Sequence, residues 1–233
     1  DSIELHLRAP GLINGTEVKE YCDEKGLIIS TIGTGLATAY EGLTLTDNDK
    51  DIRNKSIHRL LNQIDLAKIL NCSVIIGSMR GKILDLNNRK IYEKRFENSL
   101  MKILDYASKQ DVDIVIEAID RYESNYLQTA NDVLEIVNKM NSDKLYVHLD
   151  TFHMNIEESD WTTPILQCNK LLGHIHVADN NRNYPGWGHI DFKEIFDALN
   201  KIEYKNSITI ECYPGNDGYL AARKGLQYLS SLI

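Results

Sequence analysis

The stretch Val147-His148-Leu149-Asp150-Thr151-Phe152-His153-Met154-Asn155 decides how the chain is read. It has the pattern of a buried strand that ends in a carboxylate, with an imidazole three residues later. An Asp at a strand's end can leave the pleat and point along the strand axis. A His in the following loop can turn back to the same spot. Both groups are good metal ligands and costly to bury alone. An Asp that only caps a helix, followed by a loop His, accounts for the stretch equally well. The rest of the chain separates the two readings, because strands ending in such groups recur.

Short apolar runs alternate with longer amphipathic ones from end to end. Residues 3–7, 27–32, 73–77, 112–117, 144–150, 171–177 and 207–211 read as seven strands. Between them the periodicity predicts helices over 16–25, from the Thr46-Asp47-Asn48-Asp49 cap to Leu70, and over about 92–110. Further helices run from the Thr129-Ala130-Asn131-Asp132 start to Met140, over Phe192–Lys201 and over about 219–232. Gly33-Thr34-Gly35 reads as a tight turn opening a loop to Leu45, and residues 78–90 as a polar loop. Strand–helix alternation without hairpin signals means parallel strands with crossover helices. The near-continuous apolar run Val112-Asp113-Ile114-Val115-Ile116 suits a sheet covered by helices. A closed barrel of eight strand–helix units takes roughly 250 residues. We therefore expect an α/β chain, residues 1–233 forming a single TIM-barrel domain with strands two to eight of a (β/α)8 barrel. The first strand and helix are expected to be missing from this numbering. A doubly wound sheet would call for Gly-x-Gly-x-x-Gly after the first strand, and there is none.

Composition narrows the partners. A hydrophobic share of 42% supplies a core, while no run is long enough to span a membrane. The net charge of -8 argues against non-specific DNA or RNA binding, which needs clustered cations. Cys22, Cys72, Cys168 and Cys212 form no Cys-x-x-Cys pair, which fits thiols of a reducing cytoplasm. No signal-peptide pattern precedes the first strand, so a cytoplasmic location is expected.

What stands at the strand ends is the chemical signal. One strand ends in Glu117, with Arg121 and Glu123 in the loop beyond it; the next gives Asp150 and His153. His176 lies near the end of the third, followed by Asp179, Asn180 and Arg182, and Glu211 ends the fourth. In a barrel of this kind the active site lies at the C-terminal ends of the strands. Three carboxylates and one imidazole make an oxygen-rich, hard site, suited to one divalent ion, Mn²⁺ first and Mg²⁺ or Co²⁺ next. His174 faces the same side as His176 but lies deeper, so we assign the ligand to His176 and an interior role to His174 and His148.

These residues carry a resemblance. Glu117 with Glu123, Asp150-x-x-His153, His176 with Arg182 six residues on, and Glu211 resemble the ketose 3-epimerases of the xylose-isomerase-like TIM-barrel superfamily. Several stretches are also similar to the branch that epimerises 5-keto-L-gluconate, a keto sugar acid. They include Ile32-Gly33-Thr34-Gly35, Glu41-Gly42-Leu43-Thr44-Leu45-Thr46, Val74-Ile75-Ile76-Gly77-Ser78-Met79-Arg80-Gly81, His176-Val177-Ala178-Asp179 and Pro185-Gly186-Trp187-Gly188-His189-Ile190-Asp191-Phe192. The resemblance implies metal ligation by Glu117, Asp150, His176 and Glu211. It also implies proton removal and return by Glu117 and Glu211 through a cis-enediolate. Glu123, His153 and Arg182 would then hold the substrate.

A sugar acid adds a carboxylate, for which Arg80 is the best-placed cation and Lys82 the second. The partner expected is a small keto sugar or keto sugar acid, with a homo-oligomer as the family often forms. An aldose–ketose isomerase or a keto-inositol dehydratase would use the same chemistry at a neighbouring carbon. An abasic-site endonuclease of the same superfamily would need extra histidines where this chain has Asn180-Asn181-Arg182, and a basic surface that its composition lacks.

Overall fold

The computed structural model of the chain describes residues 1–232. Its seven strands hydrogen-bond in the order of the sequence: β1 Ser2–His6, β2 Ile28–Gly33, β3 Ser73–Ile76, β4 Ile114–Glu117, β5 Leu145–Asp150, β6 Leu172–Val177 and β7 Ile208–Ile210. The registered pairs run parallel. The helices are α1 Gly15–Glu24, α2 Gly35–Glu41, α3 Lys50–Leu70, α4 Arg89–Gln110, α5 Ala130–Met140, α6 Thr151–Glu157, α7 Thr162–Cys168, α8 Phe192–Lys201 and α9 Gly218–Ser230.

Contacts divide the chain into two compact units. The first holds residues 1–116, 124–126 and 136–146. Its long helices form because their apolar residues share one face. In α3, Ser56, Leu60, Ile64 and Ala67 recur every three or four residues and are buried. Fully burying Leu60 or Ile64 contributes about 1.5–3 kcal/mol each. The Asp49 side chain accepts the Asp51 N–H at 2.7 Å and starts the helix, while Asn71, left-handed at φ 55°, stops it. The packed partner α4 buries Phe96, Leu100, Ile103, Leu104 and Ala107 and ends the same way at Asp111.

The second unit holds residues 117–123, 127–135 and the chain from 147 onward. In it β5 and β6 pair with His148 opposite His174 and Asp150 opposite His176, and β6 pairs with β7 with His176 opposite Thr209. Helix α8 buries Phe192, Ile195, Phe196 and Leu199 and is capped by Asp191, whose carboxylate accepts the Glu194 N–H.

Two local expectations change. The span read as loop after Gly35 contains α2: Leu36 to Glu41 include helix formers and no breaker, and Gly42 closes the turn at φ 65°. A further helix, α7, precedes β6. His153 belongs to α6 and not to a loop, because Asp150 caps that helix by accepting the Phe152 N–H at 2.8 Å.

Gly81 shows how tightly the chain after β3 is folded. It adopts φ 87°, and a Cβ there would lie 3.1 Å from Thr44 Cβ and 3.2 Å from Thr46 Cβ. Gly81→Ala is expected to cost about 1–3 kcal/mol and to lower Tm by several degrees. An unchanged melting curve would contradict the strained turn.

Candidate metal and acid–base site

Each acidic group lies in the second unit, at or just past the end of a strand. Ala118 N–H donates to His148 C=O at 3.0 Å, which sets Glu117 beside β5. Asp150 ends β5 opposite His176 on β6, and Glu211 N–H donates to Val177 C=O at 3.2 Å. One ligand atom from each of Glu117, Asp150, His176 and Glu211 lies within 4.8 Å of the others. His176 Nδ1 is 3.1 Å from Glu211 Oε2 and 4.0 Å from Asp150 Oδ2. Asp150 and His176 are buried, whereas Glu211 keeps about a third of its side chain open to solvent, at 30%.

Arg182 offsets part of this negative charge. Its Nη1 donates to Asp150 Oδ2 at 2.5 Å and its Nη2 to Glu211 Oε2, while its guanidinium lies 4.9 Å from the Phe152 ring centre. Burial alone would lower its pKa, but the charges of Asp150, Glu211 and Glu117 outweigh that and raise it. Burial pushes Glu117 up to about 7, with Glu211 and Asp150 adding to the rise and His153 and His176 opposing it. Three carboxylates around one guanidinium leave an excess of negative charge that a divalent cation would balance. With three carboxylate donors and one imidazole the set suits a hard ion, so these residues fit the metal expected of them.

His153 reaches the same place from α6. Its Nε2 is 3.7 Å from Glu117 Oε1, and its Nδ1 is 2.6 Å from Asp120 Oδ2. Burial would lower its pKa, yet the Asp120 bond and the charges of Asp150 and Glu117 raise it. Burial would likewise raise Asp120, but the His153 bond and the Tyr122 and Glu123 amides bring it down. Glu123 is exposed and shares a second cluster with Asp120 and His153. Neither Asp120 nor Phe152 was singled out by sequence reading. The signal for Asp120 was the Glu117-x-x-Asp120 spacing, together with the need of a buried His153 for an oriented partner.

Four further sequence candidates are not members of this four-residue group. Arg80 belongs to the first unit and is wholly buried there. Lys82 is exposed and its carbonyl accepts the Thr46 hydroxyl at 2.9 Å. His148 and His174 are buried and pack their rings on His176, with centroids 4.2 and 5.0 Å away.

The sequence matches the xylose isomerase-like TIM barrel family over residues 1–232. The chain belongs to this family. Among its relatives in the xylose isomerase-like family, an L-ribulose 3-epimerase of a Methylomonas species is 29% identical over 216 residues, covering 91% of this chain and 74% of that protein. A D-psicose 3-epimerase of Ruminiclostridium cellulolyticum is 35% identical over 201 residues, covering 84% and 67%. The crystal structure of a D-allulose 3-epimerase from Methylomonas superposes with a TM-score of 0.87 at 25% identity, covering 100% of this chain and 87% of that one.

In this family member the Asp120–His153 pair makes a pH-dependent contribution to stability in the metal-free protein. The raised His153 contributes fully below its unfolded value, about 6.5, and loses its contribution as pH rises through the folded value. The lowered Asp120 contributes above about 3.9 and loses its share as pH falls through the folded value. Asp120→Asn should therefore cost most between about pH 4 and 6.5, on the order of 1–3 kcal/mol. Thermal melts of both proteins across pH would show a widening gap in that window; a constant gap would contradict the pairing.

Proposed function

We propose that the protein is a divalent-metal-dependent epimerase that inverts the carbon next to the carbonyl of a ketose or keto sugar acid. The observation that carries this reading is the convergence of Glu117 and Glu211, from two different strands, on one spot with Asp150 and His176. Glu117, Asp150, His176 and Glu211 would hold the ion, Mn²⁺ in the first instance. When bound, it supplies positive charge beside the substrate's carbonyl and hydroxyl oxygens.

The protein's own groups do the proton work. One of Glu117 and Glu211 removes the proton from the carbon between those oxygens, leaving a planar cis-enediolate. The other returns a proton from the opposite face, which inverts the centre. His153, oriented by Asp120, donates to a substrate oxygen beside Glu117. Arg182 donates to the oxygens nearest Asp150 and Glu211, and Glu123 bonds a hydroxyl further along the chain of the sugar. The relatives are named for ribulose and psicose, neutral ketoses, which supports a neutral substrate. A keto sugar acid would need a cation to meet its carboxylate.

Solvent deuterium should enter the substrate at the inverted carbon when Mn²⁺ is present, across a panel of ketoses and keto acids read by NMR. Glu211→Gln should slow this exchange by roughly 10²- to 10⁴-fold; full exchange in that variant would remove Glu211 from the proton transfer. A product with an aldehyde in place of an inverted ketose would make the protein an isomerase instead. Mn²⁺ at a hundred times its dissociation constant should stabilise the protein by about 2.7 kcal/mol, a rise in Tm that Asp150→Asn abolishes. A variant that still answers to Mn²⁺ would place the ion elsewhere.

A further inference from the structure

We propose that Asp179 is the positioning residue that sets Arg182 across Asp150 and Glu211, by holding both ends of the loop over residues 179–190 with one buried carboxylate. Asp179 lies two residues past β6 and is fully buried. Its Oδ2 accepts the Gly186 N–H at 2.9 Å, and its Oδ1 accepts those of Asn180 at 2.9 Å and Ile190 at 3.2 Å. A carboxylate is acceptor-only with about four lone-pair sites, so it can satisfy several loop amides at once. That is what a buried turn, short of backbone partners, requires.

The backbone of the same residue shapes the turn that presents Arg182. Asp179 N–H donates to Asn183 C=O at 2.9 Å, and Arg182 N–H donates to Asp179 C=O at 2.8 Å. Arg182 itself sits at φ 62°, a left-handed conformation that is unfavourable for a residue with a Cβ. Such a conformation persists where the surroundings over-determine it. Here Tyr213 N–H, donating to Arg182 C=O at 2.7 Å, fixes the other side.

This also accounts for the glycines in Pro185-Gly186-Trp187-Gly188. A Cβ on Gly188 would run into the Asp179 and Asn180 side-chain oxygens, and one on Gly186 would lie 2.6 Å from the Tyr228 ring. Asn180 Oδ1 accepts the His189 N–H at 3.1 Å and so reinforces the same closure. The loop is therefore built around a carboxylate, with Trp187 left exposed on it.

The kinetic arm of the test rests on the proposed epimerase activity. Asp179→Asn should lower kcat/KM by roughly 10- to 100-fold and do nothing further when added to Arg182→Ala, since the effect passes through Arg182. An equal loss in both backgrounds would mean that Asp179 only stabilises the fold, and would overturn the proposal. Gly188→Ala, which crowds the same carboxylate, carries the same cycle if Asp179→Asn does not fold. A second arm needs no turnover: in NMR of the metal-free protein, either variant should speed hydrogen exchange of the Gly186 and Ile190 amides and of the Arg182 Nε–H. Unchanged protection of Arg182 would refute the positioning role. A protein inactive on every ketose, with Arg182 still released by the variants, would refute the epimerase reading alone.

Discussion

Like charges in a protein interior repel strongly, and the site is organised by how that repulsion is met. Two carboxylates 4 Å apart repel by about 4 kcal/mol at an effective dielectric constant of 20, more than a helix cap contributes. Glu117, Asp150 and Glu211 are held closer than they would choose because each is fixed by strand hydrogen bonding. The strain is relieved in three ways: Arg182 spans Asp150 and Glu211, His153 approaches Glu117, and Glu117 holds its proton up to about 7. A cation arriving there meets groups already arranged, so little reorganisation accompanies binding.

The positive groups come from outside the strands and need separate fixing. His153 stands on Asp120, whose other oxygen accepts the Tyr122 and Glu123 amides, so the loop after β4 orients a side chain that belongs to α6. The neighbouring Arg121 grips Glu157, at the far end of α6, through its amide, Nε and Nη2, tying the same loop to the same helix again. Thr151 adds a tie between strands: its hydroxyl donates to Ala178 C=O at 2.6 Å and accepts the Ala178 N–H at 3.0 Å. Strand ends thus carry the clustered carboxylates, while a braced helix and a braced loop carry His153 and Arg182.

This division explains what could be read from sequence. Seven apolar runs became seven strands, and Glu117, Asp150, His176 and Glu211 were visible because a polar group closing an apolar run is a local pattern. The partnership of Asp120 with His153 was not visible, since 33 residues separate them and only the fold brings them together. Arg80 follows a strand in sequence, yet its depth is a property of packing that no spacing encodes. The helix α2 was hidden by Gly33 and Gly35, which suggest a turn although the second of them opens a helix. Asp150 caps a helix, as one of the two readings had it, and also lies within the acidic cluster.

That double duty ties spacing to function. Because Asp150 starts α6 and His153 lies one turn along it, the distance between them is a helical period, not a flexible tether. Adding or deleting one residue there would rotate the imidazole by about 100° around the helix and away from Glu117. Length variation within this segment is thus forbidden by geometry, even where its individual side chains could be exchanged.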